Sequence, residues 1–287
     1  MPELVWHDGQ ILPPEDARCS CLDRGRLYGD GLFETMRAYH GKIFRLETHL
    51  QRLAGAAQRI HLALPMTADD LQTAVQKTLK ESELASAYIR LTVTRGVGGS
   101  PAQLDASTAS VTIWVRPFSG YPLELYQKGM SAVLAEARRN EHSLLSTLKT
   151  LNYLDNLLAR AAAQRAGADE AIFLNTSDQL AEAAASNLFI VADGRVLTPP
   201  IEAGILPGIT RACVLESCAT EGIRFTETPL ELQQLREAAE AFLTGSIMEI
   251  MPLTSFAGKA IGSGQPGEIT KQLQQAYRSL VDEETKA

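Results

Sequence analysis

In LVWHDGQIL apolar residues flank Asp8-Gly9, a pair whose backbone tolerates positive φ, and the stretch predicts a hairpin. LFETMRAY alternates and turns through His40-Gly41 into KIFRL, a second hairpin. From Leu46 the period changes. Leu46, Leu50, Leu53, Ala57 and Ile60 keep helical spacing and stop before Pro65, and Thr67 with Asp70 marks a capping-box start for a second helix through Leu84. SAYIRLTVTRG and ASVTIWVRP, rich in β-branched residues, predict two strands joined by GVGGSPAQLDAST. Strands and helices fall in separate runs here, so residues 1–116 read as an α+β domain.

PFSGYPLELYQKG interrupts the periodicity with two prolines and two glycines, which places a linker at residues 117–125 and a second domain over 126–287. In that second half, Leu151 to Ala166 is helical by pattern and closed by Gly167. EAIFLN and NLFIVADGRVLT predict strands, the latter with a hairpin at Asp193-Gly194. Gly208 to Gly222 reads as a helix, Thr228 with Glu231 as the cap of a short one, and AFLTG as a strand. IMPLTSFAGKAI predicts a hairpin and Ile269 to Val281 a closing helix.

Length agrees with this division, since 287 residues suit two domains of ordinary size. A composition of 45% apolar and 21% charged residues excludes disordered and fibrous classes. The net charge of −7 comes without a basic stripe interleaved with aromatics, so a small molecule is the expected partner rather than nucleic acid. No apolar run approaches a membrane span. MPELVWHDGQ has neither the basic start nor the apolar block of a signal peptide, and a cytoplasmic setting is expected. Cys19, Cys21, Cys213 and Cys218 fit neither a disulfide framework nor paired CxxC knuckles, so reduced thiols are expected. The five histidines show no HxH or HExxH spacing, and no catalytic metal is expected.

Four stretches carry candidate chemistry. In SLLSTLKTLNYLDNLLAR, Lys149 is either a solvated lysine ahead of a helix or an amine kept neutral by the surrounding leucines and able to attack a carbonyl. In ILPGITRACVLE, glycine and proline lead into a helix whose first N–H groups, those of Ile209 and Thr210, could face an anion; a plain loop-to-helix junction is the alternative. In LAEAAASNLF, Glu182 stands among alanines, at a surface turn or against a cationic partner such as a protonated pyridine nitrogen. In HLQRL, Arg52 offers a fork that suits phosphate, though a surface ion pair is the commoner fate of a helical arginine. GVGGS is not the GxGxxG of a dinucleotide site. An amine, a carboxylate for a ring nitrogen, an arginine and a helix start for a phosphate together describe a site for pyridoxal phosphate.

These stretches, with DRGRLYGDGLFETMRAY, AYIRLTVTRG and LTGSIMEIMP, resemble the class IV (fold type IV) pyridoxal-phosphate enzymes, which include branched-chain aminotransferases, D-amino acid transaminases and aminodeoxychorismate lyases. The resemblance implies a small α+β N-terminal domain, a larger barrel-like C-terminal domain, the cofactor between them, and a homodimer. It also implies roles. Lys149 would bind the cofactor covalently and shuttle the proton between Cα and C4′, Glu182 would pair with the pyridine nitrogen, and Tyr153 would stand near the phenolic oxygen. Arg52, the Ile209 and Thr210 N–H groups and the Ser246 hydroxyl would hold the phosphate. Tyr28, Phe33, Tyr88, Arg90 and Ile247 would face the substrate, with Arg26 and Arg90 as clamps for its carboxylate.

Specificity markers are mixed. Tyr88 and Arg90 match the YxR of branched-chain aminotransferases, whereas Thr35 gives FET, as in the lyases, where FEG is usual in the former. Ser100 stands where the lyases often carry arginine, and GVGGSPAQ lacks the RxH pair of the D-amino acid enzymes. The implied activity is amino transfer between a branched-chain-like or D-amino acid and a 2-oxo acid. The alternatives are a lyase releasing pyruvate from aminodeoxychorismate to form p-aminobenzoate, and a non-catalytic cofactor-binding homologue.

Overall fold

The computed structural model describes residues 3–100, 102–104 and 108–286. The chain forms two compact units. The first runs to Ser119 and takes in Leu148–Asn152 and the stretch from Val281 onward; the second holds Gly120–Thr147 and Tyr153–Leu280. A single cut at 117–125 would leave both returning stretches with the second half, and the earlier of them carries Lys149.

In the first unit, Asp8 and Gly9 take φ of 42° and 102° and join β1 (Leu4–His7) to β2 (Gln10–Leu12) as an antiparallel hairpin. Asp23 then caps α1 (Arg24–Tyr28), a helix inside DRGRLYGDG too short for periodicity to show; its carboxylate accepts the Gly25 N–H. β3 (Gly31–Tyr39) returns through His40-Gly41 into β4 (Lys42–Ile43). α2 (Leu46–Arg59) follows, then α3 (Ala68–Glu81), which starts at the Thr67–Asp70 capping box and ends before Leu84, since Glu83 turns to φ 55°. β5 (Ala87–Val97) and β6 (Thr108–Pro117) complete its strands; the predicted connection between them lies partly outside the described residues.

The six strands form one sheet in the order β2-β1-β6-β5-β3-β4, with every neighbouring pair antiparallel. Strand alternation sorts its side chains. Leu32, Met36, Ile89, Leu91 and Ile113 join Leu50, Leu53, Leu71 and Val75 of the two helices in one apolar core. The other face carries Phe33, Thr35, Tyr88, Arg90, Trp114 and Arg116, paired across strands as Thr35 with Arg90 and Arg90 with Trp114.

The second unit begins with α4 (Leu123–Lys128), so part of the predicted linker is helical. β7 (Met130–Arg139) leads through a short turn of helix at Leu144–Thr147 and the Lys149 stretch to α5 (Leu154–Arg165). The predicted helix from Leu151 is thus shorter at its start, because residues 149–151 hydrogen-bond to β3 instead. Four strands follow, β8 (Glu170–Asn175), β9 (Leu180–Ala183), β10 (Asn187–Ala192) and β11 (Arg195–Thr198), then α6 (Ile209–Thr220) and β12 (Phe225–Glu227). α7 (Leu232–Glu237) is capped at Glu231, whose N–H donates to Gln234; Thr228 instead donates its N–H to Thr198 and is not the cap. β13 (Glu240–Gly245), β14 (Glu249–Phe256), β15 (Lys259–Ala260) and α8 (Glu268–Lys286) follow to the end of the described residues.

Here the sheet closes on itself. β10, β13, β14, β7, β8 and β9 are neighbours in that order, and β9 meets β10 again where Glu182 pairs with Asn187. The pairs β14–β7 and β7–β8 are parallel and the remaining contacts of the ring antiparallel. One apolar cluster draws on all six strands, among others through Met130, Ile172, Leu180, Leu188, Leu243 and Leu253. The fold is α+β, a helix-backed antiparallel sheet and a barrel-like second unit, as expected. No helix among the described residues is long and apolar enough to cross a membrane.

Candidate active site

Lys149 belongs to the first unit through its backbone. Its carbonyl accepts the Phe33 N–H at 2.9 Å, and Leu151 donates its N–H to the Gly31 carbonyl at 3.0 Å, so Thr150 sits opposite Leu32 as in a short antiparallel bridge. Gly31 allows the chains to pass this closely; a Cβ there would lie 2.5 Å from the Val93 carbonyl oxygen and 2.8 Å from Leu151 Cδ1. Lys149 is half-buried, and its Nζ lies 4.6 Å from the centre of the Phe33 ring. Arg90 Cζ lies 3.8 Å from the same ring. Phe33, Thr35, Tyr88 and Arg90 therefore share one sheet face, while Tyr28 and Arg26 lie exposed on α1.

On the opposite face Glu34 falls in register with Leu32 and Met36 and so points into the core. His49 and Arg52, three residues apart on α2, reach it together. Arg52 donates through Nε to Glu34 Oε1 at 2.8 Å and through Nη2 to Oε2 at 2.6 Å, and His49 Nδ1 lies 2.7 Å from Oε2. Glu34 and His49 are each 1% exposed. Burial opposes the Glu34 charge, but the Arg52 charge and the hydrogen bonds from His49 and Arg52 outweigh it and hold the carboxyl down to about 2. The partner of Arg52 is thus a buried carboxylate that the sequence reading missed. Its signal was the parity of β3, in which Glu34 shares the side of Leu32 and Met36.

In the second unit, Glu182 sits where the barrel closes, and donors surround it. Arg139 Nη2 lies 3.2 Å from Oε1; the Leu206 N–H and Asn187 Nδ2 donate to Oε2 at 3.1 and 3.4 Å. The cation that the chain itself brings to this carboxylate is Arg139, which sequence reasoning missed. Asn187 Nδ2 also donates to the Leu206 carbonyl, and its side chain packs on Gly208, where a Cβ would collide with Oδ1. Gly208 begins α6, whose first N–H groups, including those of Ile209 and Thr210, have no side-chain cap. Ser246 and Ile247 are half-buried in the turn from β13 to β14, and the nearby Ser186 and Thr244 hydroxyls are buried with no partner among the described residues.

Tyr153 stands just ahead of α5. Its hydroxyl donates to the Ala184 carbonyl at 3.1 Å, a group that also accepts from Asn156 Nδ2 at 2.6 Å. Burial first, and then the Glu182 charge, push its phenol up to about 12. Ultraviolet titration is therefore expected to show the Tyr153 phenolate appearing only near pH 12. Because Asn156 keeps the Ala184 carbonyl satisfied, Tyr153→Phe is expected to cost only about 1 kcal/mol in denaturant melts. A loss several times larger would contradict that account.

The donor set suits a phosphorylated pyridine aldehyde. Within the second unit, an uncapped helix start and orphaned hydroxyls would suit a phosphate and a carboxylate gripped by donors would suit a protonated ring nitrogen; in the first unit, the half-buried Lys149 would suit a carbonyl. Comparison with known proteins agrees: the family model described as Amino-transferase class IV matches residues 31–256. A branched-chain-amino-acid aminotransferase of Pseudomonas aeruginosa is 33% identical over 99% of this chain and 94% of its own. A D-alanine aminotransferase of Staphylococcus epidermidis is 34% identical over 96% and 97%. The crystal structure of the Escherichia coli branched-chain amino acid aminotransferase superposes with a TM-score of 0.93 at 31% identity, covering 99% of this chain and 96% of that one. The chain belongs to the class IV aminotransferases, a pyridoxal-phosphate-dependent family, and is an aminotransferase.

Proposed function

We propose that the chain moves an amino group between a branched-chain-like or D-amino acid and a 2-oxo acid, with pyridoxal 5′-phosphate as the carrier. The observation that carries this reading is Lys149, a half-buried residue whose backbone is fastened to β3 and whose Nζ lies over the Phe33 ring. Bound cofactor would supply an aldehyde to capture the amino group and a ring to spread the charge left when the Cα proton departs. Lys149 would hold the cofactor covalently and, once displaced by substrate, carry that proton between Cα and C4′. Glu182 would keep the ring nitrogen protonated, and Tyr153, un-ionised at neutral pH, would stand beside the phenolic oxygen. Arg52, the Ile209 and Thr210 N–H groups and Ser246 would grip the phosphate. Tyr28, Phe33, Thr35, Tyr88 and Ile247 would line the substrate side, with Arg90 and Arg26 as carboxylate clamps.

A homodimer belongs to the same reading, supported by the water-facing Leu154, Leu157 and Leu158 on α5 and Leu22 and Leu27 beside and on α1. The holoenzyme is to be assayed for transfer from L-leucine, L-valine and D-alanine to 2-oxoglutarate, against release of pyruvate from aminodeoxychorismate. Transfer is the expected result. Pyruvate release with transfer at background would replace the reading with the lyase, and neither activity would replace it with a non-catalytic homologue.

A further inference from the structure

Glu182 is met by donors on both of its carboxylate oxygens, Oε1 by the Arg139 guanidinium and Oε2 by the Leu206 N–H and Asn187 Nδ2. Every one of these contacts favours the carboxylate over the neutral acid. Arg139 and Glu182 side chains are only 14% and 10% exposed, so the pair is little screened by water.

Arg139 does not depend on Glu182 for its position. It is the last residue of β7, opposite Asn175 of β8. Its Nη1 donates to Asn156 Oδ1 at 3.1 Å, and its Cζ lies 4.3 Å from the centre of the Phe173 ring, a fully buried side chain. Asn156 is fixed in turn, since its Nδ2 donates to the Ala184 carbonyl. The guanidinium is therefore a pre-set charge beside the barrel closure, held by neighbours that have no ionic stake in Glu182.

We infer that Arg139 is a positioning residue that lowers the proton affinity of Glu182, so that the proton shared with the pyridine nitrogen of bound cofactor resides on the nitrogen. The inference rests on the reading of Glu182 as that nitrogen's partner. Arg139 meets Glu182 Oε1 directly at 3.2 Å, a contact that a ring nitrogen held by the carboxylate would not share. Moving the proton from carboxyl to nitrogen thus carries positive charge away from Arg139 and restores the negative charge that Arg139 attracts. Without Arg139 the same proton would sit on a partly buried carboxyl next to a neutral ring, the form that burial favours. A neutral ring is a poorer electron sink, so the arginine acts on the chemistry through the carboxylate.

The test is nitrogen-15 magnetic resonance of holoenzyme loaded with ring-labelled pyridoxal phosphate, in the wild type, Arg139→Gln, Arg139→Lys and Glu182→Gln. The wild type is expected to show a protonated nitrogen and Arg139→Gln a shift toward the neutral pyridine value. Arg139→Lys, which keeps the charge, is expected to restore most of the protonated signal. A merely structural arginine would leave the shift untouched while lowering the melting temperature, and that result would overturn the inference. If Glu182→Gln leaves the signal unmoved, the assignment of Glu182 itself fails; if it moves the signal and Arg139→Gln does not, only the role of Arg139 fails. One check needs no Arg139 variant. The infrared difference between wild-type and Glu182→Gln holoenzymes should carry an ionised carboxylate band, and a protonated carboxyl band in its place would also overturn the inference.

Discussion

Replacing Lys149 with alanine is expected to lower amino transfer by at least about a thousandfold, the scale on which a positioned proton carrier acts. The same substitution should abolish the mass increment that borohydride fixes onto the polypeptide in the wild type. Stability should change little, by roughly 0.5 kcal/mol, because the bonds that fasten this stretch come from the backbone: Phe33 N–H to the Lys149 carbonyl and Leu151 N–H to the Gly31 carbonyl. That combination separates chemistry from folding. A covalent adduct that survives in Lys149→Ala would remove the lysine from its proposed role, and a collapse of the melting transition would make the rate loss uninformative about the amine.

The largest effect on stability is expected at Glu34. Removing one partner of a buried, hydrogen-bonded charge pair typically costs about 3–5 kcal/mol, since the other is left desolvated without compensation. Glu34→Gln leaves Arg52, 14% exposed, without its bidentate acceptor and withdraws the charge that His49 faces. The pH dependence has a definite sign. Glu34 is held at about 2 against 4.5 for an unperturbed carboxyl, so its contribution is complete above about 4.5 and is lost as pH falls toward 2. On the scale of that shift the contribution is on the order of 3 kcal/mol. His49, lowered from 6.5 chiefly by burial, adds a loss in the same direction as pH falls below 6.5. Denaturant melts from pH 7 to pH 3 should show the wild type weakening steeply and Glu34→Gln, already weak at pH 7, changing much less. Parallel slopes in the two proteins would show that another group governs acid sensitivity.

Local signals made much of the fold legible. Asp8-Gly9, His40-Gly41 and Asp193-Gly194 all adopt positive φ and all make the hairpins their composition predicts. The Thr67–Asp70 box starts α3 because both of its bonds lie within four residues. Illegible features depended on distant partners. The start of α5 moved from Leu151 to Leu154 because residues 149–151 pair with β3, more than a hundred positions earlier. β7 escaped notice because its exposure is irregular and its pairing with β8 shifts register between Leu134 and Arg138, which left Arg139 without a place in the sequence reading. The same limit held at the site. Lys149, Glu182 and Arg52 stood out by their surroundings in sequence, whereas the groups that set their electrostatics, Glu34, Arg139, Asn156 and Asn187, belong to other elements.

The return of Leu148–Asn152 and of the stretch from Val281 to the first unit also bears on the order in which the protein can be made. By Ser119 synthesis has produced all six strands of the first sheet, yet the backbone that bridges Leu32 at Thr150 has not been made. The contacts of His40 with Thr285 and of Arg45 with Glu284 wait longer, for nearly the whole chain. Loops of that length close slowly, and domains otherwise fold as they emerge. The unit translated first is therefore the last to be completed, and its sheet must stay open at β3 until the amine-bearing segment arrives.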